Sequence, residues 1–182
     1  MGGRLPLRQW RGLFLTKHQL RVYMIAGADW RTRRNWEAEH ADSSQRAFSA
    51  KRVGAVIVGT GVDIAETARL GEALDRHGER FASRIYTPQE IAYCERFKNK
   101  AERYAARFAA KEAAFKALGT GWREGVRWLD VEVTHQPSGK PELVLSGRAK
   151  ELAEEMGVAR TEVSISHANH YVVAVVIFEA NG

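Results

Sequence analysis

Three short segments of the chain hold side chains that could do chemistry together. GTGVDIAE, residues 59–66, presents one carboxylate, Asp63, between Val62 and Ile64 and behind Gly59 and Gly61. FAAKEAAFKALGTG, residues 108–121, places Glu112 and Lys116 four residues apart. VSISHANHYVVA, residues 163–174, sets His167 directly after an alternating run that contains Ser164 and Ser166. Carboxylates bind hard divalent cations, an ammonium neutralises phosphate, and an imidazole moves protons near neutral pH. Each segment also has a plainer reading. Asp63 alone reads as an outward aspartate capping the next helix, Glu112 and Lys116 as an i,i+4 pair on an exposed stripe, and a lone histidine as structural.

Several familiar chemistries are excluded. A dinucleotide fingerprint needs a third glycine at position 64, where Ile64 stands. No serine lies in a G-x-S-x-G turn, the six histidines show no H-E-x-x-H spacing, and a single cysteine, Cys94, supplies neither a disulfide nor a cysteine zinc site.

The elements that must position these residues follow from local pattern. Residues 55–59 read as a strand ending in glycines, which permit a close approach or a bulge. Residues 66–77 read as a helix stopped by Gly78. Thr87-Pro88-Gln89-Glu90 has a threonine cap, a proline at the first helical position and a glutamate three residues after the cap, so a helix is expected to about residue 97. A long helix is predicted over 101–118. At 100° per residue it has an aromatic face of Tyr104, Phe108, Phe115 and Leu118 and an alanine face opposite. Glu112 and Lys116 fall between these faces, and Lys111 falls among the aromatics, where its stem is expected to snorkel. A hairpin of strands 129–135 and 142–145, a helix from Ser146 to Gly157, and strands 161–166 and 171–179 complete the pattern. Helices and antiparallel strands mix without βαβ alternation, so the fold class is α+β.

At 182 residues, with 45% hydrophobic and 27% charged side chains, the chain has the composition of one soluble domain. Its longest apolar run, residues 171–178, is far below the ~20 residues of a membrane span. The expectation is a cytoplasmic protein without a membrane partner. The formal charge of +6 is unevenly placed: residues 1–52 hold 11 Lys and Arg against 4 Asp and Glu, and the remaining 130 hold 17 against 18. Residues 1–54 therefore read as a basic extension, disordered or translated from an upstream start, and residues 55–182 as the working domain. Arginines and Trp10, Trp30 and Trp36 in the extension leave nucleic-acid binding as a rival reading, held unlikely.

Together, and in order, the segments resemble the holo-acyl-carrier-protein synthase family of 4′-phosphopantetheinyl transferases. GTGVDIAE, RFASRIYTPQEIAYC (80–94), FAAKEAAFKALGTG and SISHANHYVVA carry the likeness across residues 55–179, with Val172 departing from a usual alanine. The resemblance implies a small antiparallel sheet packed with a long central helix, in a homotrimer with sites between protomers. It implies Mg²⁺-dependent transfer of the phosphopantetheine arm of coenzyme A to apo acyl carrier protein, with Asp63 and Glu112 as metal ligands. Glu112, Lys116 and His167 would be catalytic. Arg107, Lys111, Gly119, Thr120, Gly121 and His167 would meet coenzyme A, and Arg69 and Arg84 the carrier. A coenzyme A or carrier-binding module of the same fold without transfer activity is the alternative.

Overall fold

The structure, a computed structural model, describes residues 54–120 and 125–182. The expectations for residues 1–53, including nucleic-acid binding, and the assignment of Gly121 lie outside the described residues. Strand β1 (Val56–Glu66) is followed by helices α1 (Thr67–His77), α2 (Glu79–Ile85), α3 (Pro88–Cys94) and α4 (Lys100–Ala117). A 3₁₀ turn (Trp128–Asp130) leads to the hairpin β2 (Val131–His135) and β3 (Pro141–Leu145), helix α5 (Gly147–Glu155), and the long hairpin β4 (Val158–Ala168) and β5 (Tyr171–Ala180). The class is α+β, as the residue pattern indicates.

β5 forms the middle of a three-stranded antiparallel sheet in the order β1-β5-β4, and β2 pairs with β3 in a separate ribbon lying against β4. Alternation along β5 gives the sheet two unlike faces. Val172, Ala174, Val176 and Phe178 are fully buried under α4. On the opposite face Val62, Ile64, Tyr171 and Val175 are exposed, with Val62 directly across from Val175.

Three local findings go beyond the sequence pattern. β1 does not end at its glycines but runs on to Glu66, so Asp63 sits within a strand rather than at its edge or on a helix cap. Residues 79–85, between Gly78 and the Thr87 cap, form a further short helix, and the helix begun at Thr87 ends at Cys94. The start of α1 has no side-chain cap; the Thr67 N–H instead donates to the carbonyl of His170 in the β4–β5 turn at 2.8 Å. The Thr87–Glu90 capping box forms in both directions.

The glycines of β1 have a packing role. A Cβ on Gly59 would stand 2.4 Å from the carbonyl oxygen of Ala117, and one on Gly61 1.9 Å from that of Ala113. Inward residues of a strand are spaced by ~6.7 Å and residues four apart on a helix by 6 Å, so alternate positions of β1 meet successive turns of α4 as the two run in opposite directions. With alanine on α4 and glycine on β1, the backbones touch, and neither glycine is placed for a ligand. Asp63 is the next inward residue.

Gly61→Ala is therefore expected to push β1 from α4 and cost about 1–3 kcal/mol in urea unfolding. In Gly71→Ala, within helix α1, the new Cβ would lie 3.5 Å from the Cβ of Ala101 in α4, an ordinary contact, and a gain of up to about 1 kcal/mol is expected.

Candidate active site

Asp63 is 6% exposed, and one of its oxygens, Oδ1, accepts a hydrogen bond from Lys116 Nζ at 2.9 Å. The same ammonium donates to the Val62 carbonyl at 2.7 Å. Lys116 thus reaches across to β1, 53 residues away in the chain. The other carboxylate oxygen, Oδ2, is buried and has no hydrogen-bond partner. Burial raises the Asp63 carboxyl above the usual aspartate range, and Lys116, by hydrogen bond and charge, together with the Ile64 N–H offsets this only in part. A buried acceptor without a donor is costly, and a cation beside it would relieve the cost.

Glu112 is half-buried on α4, one turn before Lys116 and about 40° from it around the helix. Among the described residues no three His, Cys, Asp or Glu side chains cluster as metal ligands. The structure thus shows one buried carboxylate with a bare oxygen, Asp63. That fits a hard cation completing its shell with water and substrate phosphate.

His167 projects from β4 on the same sheet face as Asp63. Asp63 pairs with Ala174, which pairs with Ile165, and His167 lies two residues further on. Two strand spacings and two residues of rise put the two backbones about 12 Å apart. His167 Nε2 lies 3.5 Å from Glu102 Oε1 in the first turn of α4, and Asn99 Nδ2 donates to Glu102 Oε2 at 2.6 Å.

The expected coenzyme A residues divide. Arg107 lies five residues before Glu112, so its side chain leaves α4 about 140° away, toward α3 and β2. It is 2% exposed, its guanidinium stacks 4.0 Å from the Tyr93 ring centroid, and its Nε is buried without a hydrogen-bond partner. It borders a cleft of ≈ 500 Å³ with Tyr93, Arg96 and His135. Partial burial, with Arg107, Arg103 and Arg96 nearby, lowers the His135 pKa below the usual imidazole range. Tyr93 and His135 carry no sequence signal; their stacking, with ring centroids 4.7 Å apart, joins α3 to β2 across 42 residues. Residues 96–111 hold six Lys and Arg against one acid, Glu102, and of these Arg96 and Arg107 border this cleft.

Lys111 requires correction. Its side chain does not snorkel and does not reach a phosphate: it is 0% exposed and ion-pairs with the equally buried Glu90 at 2.7 Å. It also donates to the carbonyls of Val131 at 2.6 Å and Trp128 at 3.0 Å. Burial lowers its pKa below the usual lysine range, against the pull of Glu90.

Gly119 closes α4 at φ +77°, with Thr120 half-buried beside it. Arg69 is half-buried on α1, and Arg84 is exposed on α2. No helix among the described residues is long and apolar enough to cross a membrane.

Comparison with known proteins gives this arrangement its class. The 4′-phosphopantetheinyl transferase superfamily model matches residues 59–176. The holo-[acyl-carrier-protein] synthase of Solibacter usitatus is 56% identical over 124 residues, covering 68% of this chain and 99% of the relative. That of Koribacter versatilis is 52% identical over 124 residues, with the same shares covered. Among solved structures, the Neisseria meningitidis holo-[acyl-carrier-protein] synthase superposes with a TM-score of 0.62 at 36% identity, covering 68% of this chain and 98% of that one. The Helicobacter pylori holo-[acyl-carrier-protein] synthase in complex with coenzyme A does so at 0.59 and 32%, covering 65% and 98%. The chain belongs to the 4′-phosphopantetheinyl transferase superfamily and, within it, to the holo-[acyl-carrier-protein] synthases.

The raised Asp63 pKa has a consequence for stability. Between the usual aspartate value and the raised one the folded chain holds a proton that the unfolded chain has released, so stability falls as pH rises through that window. Asp63→Asn removes the liability. In chelator-containing buffer at pH 7 its thermal midpoint is expected at or above the parent's, with the difference closing as pH approaches about 4. Calorimetry at both pH values checks this.

Proposed function

We propose that this chain transfers the 4′-phosphopantetheine arm of coenzyme A to a serine hydroxyl of apo acyl carrier protein, in fatty acid biosynthesis in the cytoplasm. The supporting observation is the Asp63 carboxylate, held by Lys116 through one oxygen and bare at the other, on the flank of α4 that carries Glu112.

The serine oxygen forms a bond to the phosphorus of the pantetheine phosphate as the bond to the bridging diphosphate oxygen breaks. The serine proton passes to solvent water, and adenosine 3′,5′-bisphosphate leaves with the electron pair of the broken P–O bond. Asp63 and Glu112 would hold Mg²⁺, which when bound supplies charge neutralisation at the diphosphate. Lys116 lies beside the same carboxylate and stabilises negative charge building on the leaving 5′-phosphate of adenosine 3′,5′-bisphosphate. His167 orients coenzyme A. Gly119 ends α4 with its own N–H donated to the Lys116 carbonyl at 3.0 Å, and Thr120 just beyond it would meet the nucleotide phosphates. Arg69 and Arg84 meet the acidic carrier through attraction that weakens as salt rises.

The placement of Arg107 supports an oligomer. Asp63, Glu112 and Lys116 are on the β1 flank of α4, whereas Arg107 and its cleft are on the flank toward α3 and β2, so one chain does not close both around one ligand. Copies arranged in a ring bring one protomer's β1 flank to its partner's cleft. Val62, Ile64, Tyr171 and Val175 on the bare sheet face supply apolar surface for such an assembly, which we propose is a homotrimer.

Incubation with coenzyme A, Mg²⁺ and an apo carrier should raise the carrier's intact mass by about 340 Da, the phosphopantetheine group. Glu112→Gln should fold normally and lower turnover by about 100-fold or more. A carrier left at its starting mass by the parent enzyme, with coenzyme A still bound, points to binding without this chemistry; parental turnover in Glu112→Gln removes Glu112 from the proposed site.

Sharing of the site has its own test. Asp63→Ala and Arg107→Ala chains, each inactive alone, should recover activity when unfolded and refolded together, because mixed rings contain sites with both halves intact. No recovery in mixed oligomers confirmed by native mass spectrometry contradicts a shared site.

A further inference from the structure

We infer that the buried Lys111–Glu90 pair is a positioning device for Glu112, fixing the rotation of α4 so that Glu112 faces the Asp63 flank. The inference rests on the proposed role of Glu112 in the site. Lys111 itself touches no substrate.

Every polar group in the cluster is satisfied. Lys111 has three protons and three acceptors: Glu90 Oε2, the Val131 carbonyl and the Trp128 carbonyl. Glu90 Oε2 also accepts the Thr87 N–H at 2.8 Å, and Glu90 Oε1 accepts the Val133 N–H at 3.0 Å. The glutamate of the α3 capping box thus also serves as the counter-ion of α4 and a ladder partner of β2. Four elements meet at one ion pair with no exposure to solvent.

Net stability is a poor reason for this construction. Desolvating two charges cancels much of their attraction, and apolar side chains of similar volume often do as well. Directionality is the better reason. The side of α4 against the sheet is made of Ala106, Ala109, Ala110, Ala113 and Ala117, and β1 meets it with glycines. Small side chains interlock weakly, so such a surface resists rotation and sliding poorly. An ammonium that must satisfy three acceptors resists both.

Lys111 and Glu112 are consecutive, about 100° apart on the helix, so whatever locks one aims the other. A 20° rotation of α4 would sweep a group at the helix surface, 5–6 Å from the axis, by about 2 Å. Misplacement by about 1 Å can cost 100-fold in rate.

The test is the neutral double variant Glu90→Gln/Lys111→Met, whose amide can donate to the carbonyls that the lysine leaves. It should fold with a thermal midpoint within about 5 °C of the parent. Its kcat should fall about tenfold or more, with KM for coenzyme A within about threefold. Binding of Mn²⁺ to the free protein, followed by electron paramagnetic resonance, should weaken by about threefold or more, because the two carboxylates no longer converge. Parental kcat and Mn²⁺ affinity in the folded variant overturn the inference. So does a large rise in KM for coenzyme A with kcat unchanged, which would mean that Lys111 binds substrate. If the double variant does not fold, Glu90→Asp keeps the charge and shortens the reach by one methylene; the same split is expected, and parental kcat overturns the inference. A parent that transfers nothing to the carrier defeats the functional reading instead, and the Mn²⁺ comparison still decides whether the pair positions the carboxylates.

Discussion

The contact between the backbones of β1 and α4 is the constraint on which the site depends. Gly59 and Gly61 lie against the carbonyls of Ala117 and Ala113 with no room for a side chain. That approach brings a strand carboxylate within reach of a lysine on the helix. A β1 one side chain further from α4 would leave Lys116 too short for Asp63. The glycines and alanines around the site are thus part of its chemistry, although none of them bears a functional group.

Electrostatics follow from that approach. Asp63 is buried because the strand lies flat on the helix, and burial raises its pKa. Lys116 satisfies one oxygen and leaves the other bare. Had both oxygens been hydrogen-bonded, the carboxylate would be a structural ion pair with little left for a cation. Glu90 shows the contrast: it is equally buried, both of its oxygens are occupied, and it holds a place in the fold rather than a ligand. Two buried carboxylates in one small domain therefore divide the work by the number of donors each receives.

The same contrast explains what could be read from the residues alone. The Thr87–Glu90 capping box was legible because all its parts lie within four residues. The long helix and its two faces were legible because periodicity is local. Asp63, Glu112, Lys116 and His167 were singled out by segment, but that Lys116 reaches Asp63 is a fact about two elements. The end of β1 is not legible because two glycines with one residue between them read as a strand terminus, whereas here a helix backbone requires them. Lys111 was placed correctly among the aromatics but misread as snorkelling, because the carboxylate that holds it lies 21 residues away and was already explained as a cap. The short helix Glu79–Ile85 was overlooked because it has no side-chain cap and follows directly on Gly78.

The chain also leaves two features that are costly in isolation: a carboxylate oxygen without a donor, and an apolar sheet face open to water. Natural sequences rarely keep both without a partner for each, since either could be removed by one or two substitutions. Their positions show how the partners would be related. The bare oxygen belongs to Asp63 on β1, the cationic cleft around Arg107 is bordered by α3 and β2, and the apolar face is the side of the β1-β5-β4 sheet away from α4. Copies joined through the apolar face in a closed ring would set each β1 flank opposite a neighbouring cleft, so assembly and completion of the site become a single event. Binding of an anionic ligand across the junction would then stabilise the ring as well as fill the site, because the unassembled chain offers that ligand only one half.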